Sequence, residues 1–543
     1  MPSVAAVPAA PAVTPGPTPV RPGGAWAPLA RPVFRALWLA QLGSNLGSWM
    51  QSVGAQWFLL ERTGSAALVA WVQTAGLLPV LLLSLVAGVL ADVLDRRRLL
   101  VVTSALSTLA AAVLAVLSAT GALTPWGLLA LTFVLGCISA LTSPAWQAIQ
   151  PELVPREEVP AAASLGSVTV NGARAIGPAI AGVIVGVAGP TPVFALNALS
   201  FVGIVWILLR WRRAPQSAPL GREPFGAALA AGLRYVRAAP GVRRILLRSL
   251  LFAAPACALW ALLPSVASTD LHLSAQGYGL VLGVLGAGAV LGVAVMPVLR
   301  ARLSSSWLLA ASAVVYAAGL AAAVLAPLPV ALVVFVPTGA AWIVTLTTLN
   351  AALQLSLAGW VRARGVAVYL LVFMGGQGVA SFVWGLVAER FGAGTALLVA
   401  AGLLLLVAAS VPLLPLRAQT GLLDRTVVAL STPTPTLVFE PDPSDGPVTV
   451  TLVHRVRPGR DDAFVAAMRG LARSRRRTGA SAWRLERSGE EEHVYREEFR
   501  VPSWGEFTRA STERWTAYDR SLLDAATALT DGDPVETHAF PVA

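Results

Sequence analysis

From Val33 to Leu416 the chain alternates long apolar runs with short polar loops, and the length of the runs predicts helices that cross a membrane. A hydrocarbon core of about 30 Å takes roughly 20 apolar residues per helix. Twelve segments fit, near residues 34–60, 67–91, 99–120, 124–146, 162–188, 192–210, 245–267, 277–299, 306–326, 329–354, 366–388 and 394–415. The loops between them are of two kinds. One set carries arginine: Arg96, Arg97 and Arg98; Arg156; the run from Arg210 to Arg248; Arg300 and Arg302; Arg362 and Arg364. The alternate set holds only Arg62 and Arg390. Basic loops remain on the cytoplasmic side, so this alternation predicts a multi-pass all-α membrane protein with both termini cytoplasmic.

Beyond Leu416 the pattern changes. Pro and Thr crowd residues 431–447, a linker, and the periodicity then becomes that of a soluble α+β unit. Val448–Val456 alternates as a strand, and Asp461–Thr478 has helical spacing with Phe464, Met468 and Leu471 on one side. Ala480–Arg487 and His493–Val501 read as paired strands. Ser503–Leu529 reads as one helix, opened by a Ser503/Glu506 capping box, and Val535–Phe540 as a last strand. The order βαββαβ is the ferredoxin-like plan.

The organisation predicted is therefore an Ala/Pro-rich disordered tail (1–30), a six-helix half (31–210), a central cytoplasmic loop (211–244), a second six-helix half (245–416), a linker (417–446) and a soluble ferredoxin-like domain (447–543). The halves echo each other, since Gly88 precedes Arg96 by the same interval as Gly292 precedes Arg300. Six-helix halves related in parallel, with a site near the bilayer midplane, are the layout of one large transporter class.

Composition narrows this. Hydrophobic residues make up 56% of the chain and charged residues 13%, far from a soluble protein. All 40 basic residues are arginine, a usage that points to a GC-rich bacterial genome and so to a bacterial inner (plasma) membrane. The formal charge of +12 is concentrated before residue 417, in loops that face anionic lipid headgroups, so no nucleic-acid partner is needed to explain it. Cys137 and Cys257 both lie in apolar runs, which leaves no disulfide framework and no thiol metal site. The N-terminal tail lacks the basic start and apolar core of a signal peptide.

Three predicted helices carry polar faces at helical spacing. These are Gln41, Asn45, Ser48, Ser52 and Gln56 in the first, Ser164, Ser167, Asn171, Arg174 and Pro178 in the fifth, and Tyr369, Phe373, Gln377, Ser381 and Trp384 in the eleventh. Amides exposed to hydrocarbon cost several kcal/mol, so these faces turn inward. Gln41, Asn45, Asn171, Arg174 and Gln377 are the candidate lining of a solute path. Arg174 is the one charge expected deep within a helix, where such a residue faces a cavity or a partner. It suits a polar, aromatic or anionic solute, the alternative being a structural pair near the cytoplasmic end. Glu61, Asp92, Glu152, Asp270 and Glu389 all fall near membrane edges, so no carboxylate relay for a coupling ion is evident.

Two motifs carry a resemblance. Gly88, Leu90, Asp92, Arg96 and Arg97 match the signature loop of the major facilitator superfamily, and the chain departs from it at Asp95, where glycine is usual. Gly172, Gly177, Pro178 and Gly182 resemble the antiporter motif of exporting facilitators, which serves helix packing. The stretches Leu37–Gln51 and Ser143–Glu157 resemble the transmembrane secretion effector branch, which includes enterobactin exporters. The resemblance covers about residues 31–416. It implies a twelve-helix carrier that exports a siderophore- or drug-like solute by alternating access and proton antiport, with Gly88, Asp92, Arg96 and Arg97 as gating loop.

The C-terminal domain resembles the small monooxygenase-like domains of antibiotic biosynthesis, which dimerise through their sheets, and implies a homodimer. His454, His493 and His538 fall on neighbouring predicted strands but lack metal spacing, and no nucleophile–base set is present, so no cofactor and no enzymatic activity are expected. The rival readings are a membrane-anchored enzyme or ligand sensor acting through this domain, and a solute importer.

Overall fold

A computed structural model of the chain describes residues 26–211, 225–416, 423–430 and 437–542, and gives some helical residues, Gly88 and Asp92 among them, by backbone position alone. The expected tail lies outside the described residues up to residue 25. Ala27–Ala30 then forms a 3-10 turn that leads into the first helix.

One bundle comprises α1 (Pro32–Thr63), α2 (Ala66–Val93), α3 (Arg96–Ala119), α4 (Pro125–Ile149), α5 (Val159–Ala188) and α6 (Thr191–Arg210). A short helix follows, α7 (Phe225–Ala238), and a second bundle begins with α8 (Pro240–Thr269). It continues through α9 (Ala275–Arg302), α10 (Ser305–Leu325), α11 (Leu328–Ser356) and α12 (Arg362–Leu370). A π-helical turn, Leu371–Gly375, joins α12 to α13 (Gly376–Phe391), and α14 (Ala393–Ala409) closes the bundle. The boundaries have local causes. Ser65, Asp95, Thr124 and Ser304 accept the backbone N–H three residues on, at 2.8–3.4 Å, as N-caps. Gly64, at φ 64°, supplies the left-handed end of α1.

Among the described residues, ten helices are long and apolar enough to cross a membrane, with α12 and α13 counting as one span. The sequence predicted twelve apolar segments. The two that fall short are α1, which carries Gln41, Ser44, Asn45, Ser48, Gln51, Ser52 and Gln56, and α14, which has only 17 residues. The predicted central loop, 211–244, also needs correction. Its described part is largely helical, with α7 inside it and α8 starting at Pro240. Arg244 and Arg248 belong to α8, not to a loop. Arg248 is buried and gives its guanidinium protons to the Val407, Ser410 and Leu414 carbonyls at the end of α14, at 2.7–3.1 Å.

The C-terminal region is a four-stranded antiparallel sheet in the order β2-β3-β1-β4. Its elements are β1 (Val448–Arg455), α15 (Asp461–Thr478), β2 (Ala482–Arg487), β3 (Val494–Val501), α16 (Trp504–Arg509), α17 (Ala517–Thr527) and β4 (Val535–Ala539). The single helix predicted over Ser503–Leu529 is interrupted. Thr516 caps a new helix through a reciprocal box with Asp519, and Trp515, 1% exposed, anchors the break in the core. The predicted Ser503/Glu506 box is only half formed. Ser503 Oγ accepts the Glu506 N–H at 3.3 Å, but the Glu506 side chain turns to arginines instead. The predicted linker also takes part in this fold. Val428 N–H bonds the Trp515 carbonyl, and the Asp445 carbonyl accepts the Trp504 N–H.

Glu497 organises the interior of this domain. Its carboxylate, fully buried, accepts Arg475 Nε at 3.1 Å and Trp483 Nε1 at 2.9 Å, and its other oxygen lies 3.3 Å from His454 Nε2. Burial opposes its ionisation, yet Arg475, His454 and Trp483 outweigh burial and hold the carboxyl at about 2. A carboxyl whose folded-state pKa lies below its ordinary value stabilises the fold above that ordinary value and loses the contribution as pH falls. Unfolding of the C-terminal domain is therefore expected to become easier as pH drops from about 4.5 towards about 2. Glu497→Gln leaves Arg475 buried without its counter-charge and should cost roughly 3–5 kcal/mol, read as faster hydrogen exchange of the β1 and β3 amides at neutral pH.

Candidate functional site

The two bundles meet along two lines of small residues. In the first, α5 lies against α9. A Cβ on Gly182 would stand 2.5 Å from the Gly279 Cα, and one on Gly286 would stand 2.5 Å from the Ala175 Cα. The helices therefore touch backbone to backbone, an approach that only small residues allow. In the second, α2 lies against α13, where Gly378 and Gly385 play the same part against Leu78 and Ala67. Hydrogen bonds reinforce both lines. Ser65 Oγ donates to Glu389 at 2.9 Å, Thr74 Oγ1 to the Gly378 carbonyl at 3.0 Å, and Gln56 Nε2 to the Trp260 carbonyl at 3.0 Å. Tyr278 in turn donates its hydroxyl proton to Gln56 Oε1 at 3.0 Å.

Among the described residues, the hydrogen bonds between the two bundles run from the arginine-poor helix ends to mid-depth. At the arginine-rich end, side-chain bonds join helices of the N-terminal bundle to one another. Arg96 pairs with Glu152 at 2.8 Å, and Arg97 gives Nε and Nη2 protons to the Leu208 and Leu209 carbonyls of α6. Asp95, where the motif departs from glycine, caps α3 by accepting the Arg98 N–H at 2.8 Å. Gly88 and Asp92 occupy the last turns of α2. In this state the signature loop braces the N-terminal bundle. The two bundles are thus held together from the arginine-poor end to mid-depth.

Arg174 lies at the inner edge of the seal, next to Ala175. Its guanidinium is only partly covered and stands 5.3 Å from the centre of the Trp49 ring, a cation–π contact. The aromatic surface continues from there. The Trp49 and Trp260 rings lie 6.1 Å apart, Trp260 and Trp342 5.9 Å, and Trp342 and Phe373 6.0 Å, while Tyr316 lies 5.8 Å from Trp342. The structure thus brings Arg174 together with rings from α1, α8, α10, α11 and the π-turn.

The other predicted path residues divide. Gln41 and Asn45 are half-buried on α1 and bonded to each other at 3.2 Å. Asn171 is half-buried one turn before Arg174 and bonds Ser167. Gln377 is buried, its amide turned onto the Phe373 carbonyl of its own helix at 3.2 Å. Of the predicted packing residues, Gly177 receives Trp49 Cβ and the Pro178 carbonyl meets Gly279, whereas a Cβ on Gly172 would touch nothing within 4 Å. Sequence reasoning missed Trp49, Trp260, Tyr278, Tyr316 and Trp342. The helices of Trp49, Trp260 and Trp342 hold other aromatics, such as Trp57, Phe252 and Phe335, so no signal in the sequence set them apart.

The three C-terminal histidines do not gather. His454 faces Glu497, His493 pairs with Asp461 at 2.9 Å, and His538 lies 3.2 Å from Glu536. The domain is docked on the membrane region. Glu506, 2% exposed, accepts two bonds from Arg514 at 2.8 and 2.9 Å and one from Arg234 of α7 at 2.7 Å. Trp360, in the loop before α12, donates Nε1–H to the Arg514 carbonyl at 3.1 Å, and the Arg514 guanidinium stands 4.9 Å from its ring centre.

The sequence pattern described as "Transmembrane secretion effector" matches residues 23–540. It runs through the C-terminal sheet, so that region is part of the family pattern, and the resemblance to small monooxygenases gains no support. A staphyloferrin A transporter of Staphylococcus aureus is 30% identical over 253 residues, covering 46% of this chain and 64% of that protein. The match thus spans just under two thirds of that relative's length. The multidrug efflux pump Tap of Mycobacterium tuberculosis is 28% identical over 358 residues, covering 62% of this chain and 82% of the pump. Among solved structures, a bacterial homologue of the human lysosomal transporter Spinster, inward-facing and occupied, aligns with a TM-score of 0.59 at 16% identity over 73% of this chain and 98% of that one. This likeness shows a shared fold, the major facilitator arrangement.

The backbone contact at Gly182 gives a direct test. A leucine there must part α5 from α9, and overpacking of this kind costs about 1–3 kcal/mol, a shift of about five- to 150-fold against the sealed state. Spin labels at Thr63 and Arg390, with Cys137 and Cys257 replaced by alanine, are expected to move to longer distances in Gly182→Leu. An unchanged distance distribution would show that the contact does not set the seal.

Proposed function

The chain belongs to the transmembrane secretion effector family and is a multi-pass membrane protein; from that premise we propose that it exports a small organic solute, siderophore- or drug-like, by alternating access. The observation that carries this reading is a membrane region whose two bundles join by close backbone contact from the arginine-poor end to mid-depth, with a guanidinium and an aromatic surface at the inner edge of that seal. The arginine-rich end is cytoplasmic by the positive-inside rule, so this state receives solute from the cytoplasm. Rocking the bundles about the site would part α5 from α9 and α2 from α13, and would close the arginine-rich end.

In this reading α1 and α14 also cross the bilayer, which gives twelve spans in two six-helix halves with both termini cytoplasmic. The polar residues of α1 are tolerated because they meet protein or the cleft instead of lipid. Gln41, Asn45, Asn171 and Arg174 line the path, and Gln377 supports the π-turn beside it. Gly88, Asp92, Arg96 and Arg97 steer the N-terminal half as one body. Counter-transport of protons supplies the energy.

The C-terminal region has the strand order of the ferredoxin-like plan and serves as a docked accessory domain, not as an enzyme. Arg484, Glu486, Arg496, Glu498 and Arg500 stand on the sheet face away from its helices. A homodimer formed through that charged face would be salt-sensitive.

Accumulation of labelled solutes in cells with and without the gene tests the reading, with a siderophore and a macrolide in the panel. Lower accumulation in the presence of the gene is expected, abolished by a protonophore. Higher accumulation would mark an importer. No difference for any solute, together with turnover of an aromatic compound by the full chain, would favour the C-terminal domain as the working part.

A further inference from the structure

We propose that the site at Arg174 selects organic anions, solutes that carry a carboxylate on a planar, unsaturated body. This gives a substrate class to the export reading and rests on it for its physiological meaning. The first observation is an unbalanced charge. Arg174 forms no ion pair among the described residues, and it sits at the middle of α5. The acids of the membrane region stand elsewhere. Glu61 accepts Trp57 Nε1–H, Glu152 pairs with Arg96, Glu389 holds Ser65, and Asp270 caps the end of α8. Asp92 lies in the last turns of α2. A guanidinium in a low-dielectric site needs a counter-charge, and the described residues supply none. The electron-rich face of Trp49 offsets the charge only in part.

The second observation is independent and concerns donors. Arg174 Nε, Asn45 Nδ2 and Trp342 Nε1 are buried and have no hydrogen-bond partner. The indole N–H of Trp260 lies beside Tyr316 but off hydrogen-bond geometry, and the Tyr316 hydroxyl gives its own proton to the Ala256 carbonyl at 3.2 Å. Buried polar atoms are almost always paired, so a run of unpaired N–H donors along one surface marks a place for acceptors. A carboxylate fits the planar fork of a guanidinium through two parallel bonds.

The third observation sets the body of the solute. The half-buried rings of Trp49 and Trp260 lie 6.1 Å apart beside the guanidinium, backed by the buried Trp342 ring 5.9 Å from Trp260, and offer faces and edges for a flat group to lie against. A cation would meet Arg174 with nothing to offset the repulsion.

The test is binding of matched acids and amides to the purified full-length chain, measured by calorimetry. The pairs are naphthoate with naphthamide and indoleacetate with indoleacetamide. Each acid is expected to bind at least about ten-fold more tightly than its amide, about 1.4 kcal/mol. Arg174→Gln should reduce each acid to the level of its amide without changing amide binding, and Arg174→Lys should restore part of the difference. Melting temperatures of both variants show that they remain folded. Equal binding of acid and amide, no binding of either acid, or an acid preference that survives in Arg174→Gln would overturn the proposal.

Efflux of ethidium from cells separates the two levels. Ethidium efflux by the unaltered chain that exceeds its efflux of either acid would keep the export reading and sink the anion class. Acid binding that depends on Arg174, with no efflux of any solute, would keep the class and sink the export reading.

Discussion

Where α5 crosses α9, two backbones meet with no side chain between them, and the shape of the membrane region follows from that contact. Gly182 against Gly279 and Ala175 against Gly286 let the helices approach as closely as main chains can. Lipid tails are as apolar as leucine, so in a membrane such packing, and not hydrophobic exclusion, holds helices together. The same geometry recurs where α13 meets α2. The α5/α9 seam is made by small residues, whereas at α2/α13 Trp71 stacks on Phe382 with ring centres 5.1 Å apart. The hydrogen bonds that cross them are few and are made by flexible side chains such as Gln56 and Glu389.

The seal gives Arg174 its meaning. An arginine one turn further along α5 would be buried in the closed seam, and one several turns earlier would reach the loops and their acids. At the position it occupies, the guanidinium is held out of bulk water by the bundle, supported by Trp49, and left without a counter-charge. Arg248 shows the contrasting solution. It is also buried, but it satisfies its protons on the carbonyls that end α14 and so ties two helices together. One arginine is consumed by structure and the other is kept open.

The C-terminal domain is integrated through a third kind of chemistry. Glu506 gathers Arg514 of its own domain and Arg234 of α7, while Trp360 takes the Arg514 carbonyl and lies under its guanidinium. The helix that connects the two bundles is thereby fixed to the loop before α12. The domain and the second bundle share one buried polar network, so movement of α7 would have to break charge-assisted bonds that are shielded from water.

Much of this was legible in the sequence. The twelve apolar runs became helices within a few residues of their predicted ends, because helix length and hydropathy are set locally by the thickness of the bilayer. The strands of the C-terminal region were legible from side-chain alternation in the same way. Arg174 stood out because a charge in an apolar run is rare, and Gly182 because small residues recurred at helical spacing. What the sequence left undecided was every relation between distant segments. It showed neither that Gly279 and Gly286 meet α5, nor that Trp49, Trp260 and Trp342 form one surface, nor that Gln377 turns back on its own helix. It also gave Arg234 and Arg244 to a loop, since periodicity cannot distinguish a basic loop from a helix whose arginines find partners far along the chain. Local pattern records what each segment buries, whereas the partner it is buried against is chosen only when the two bundles close on each other.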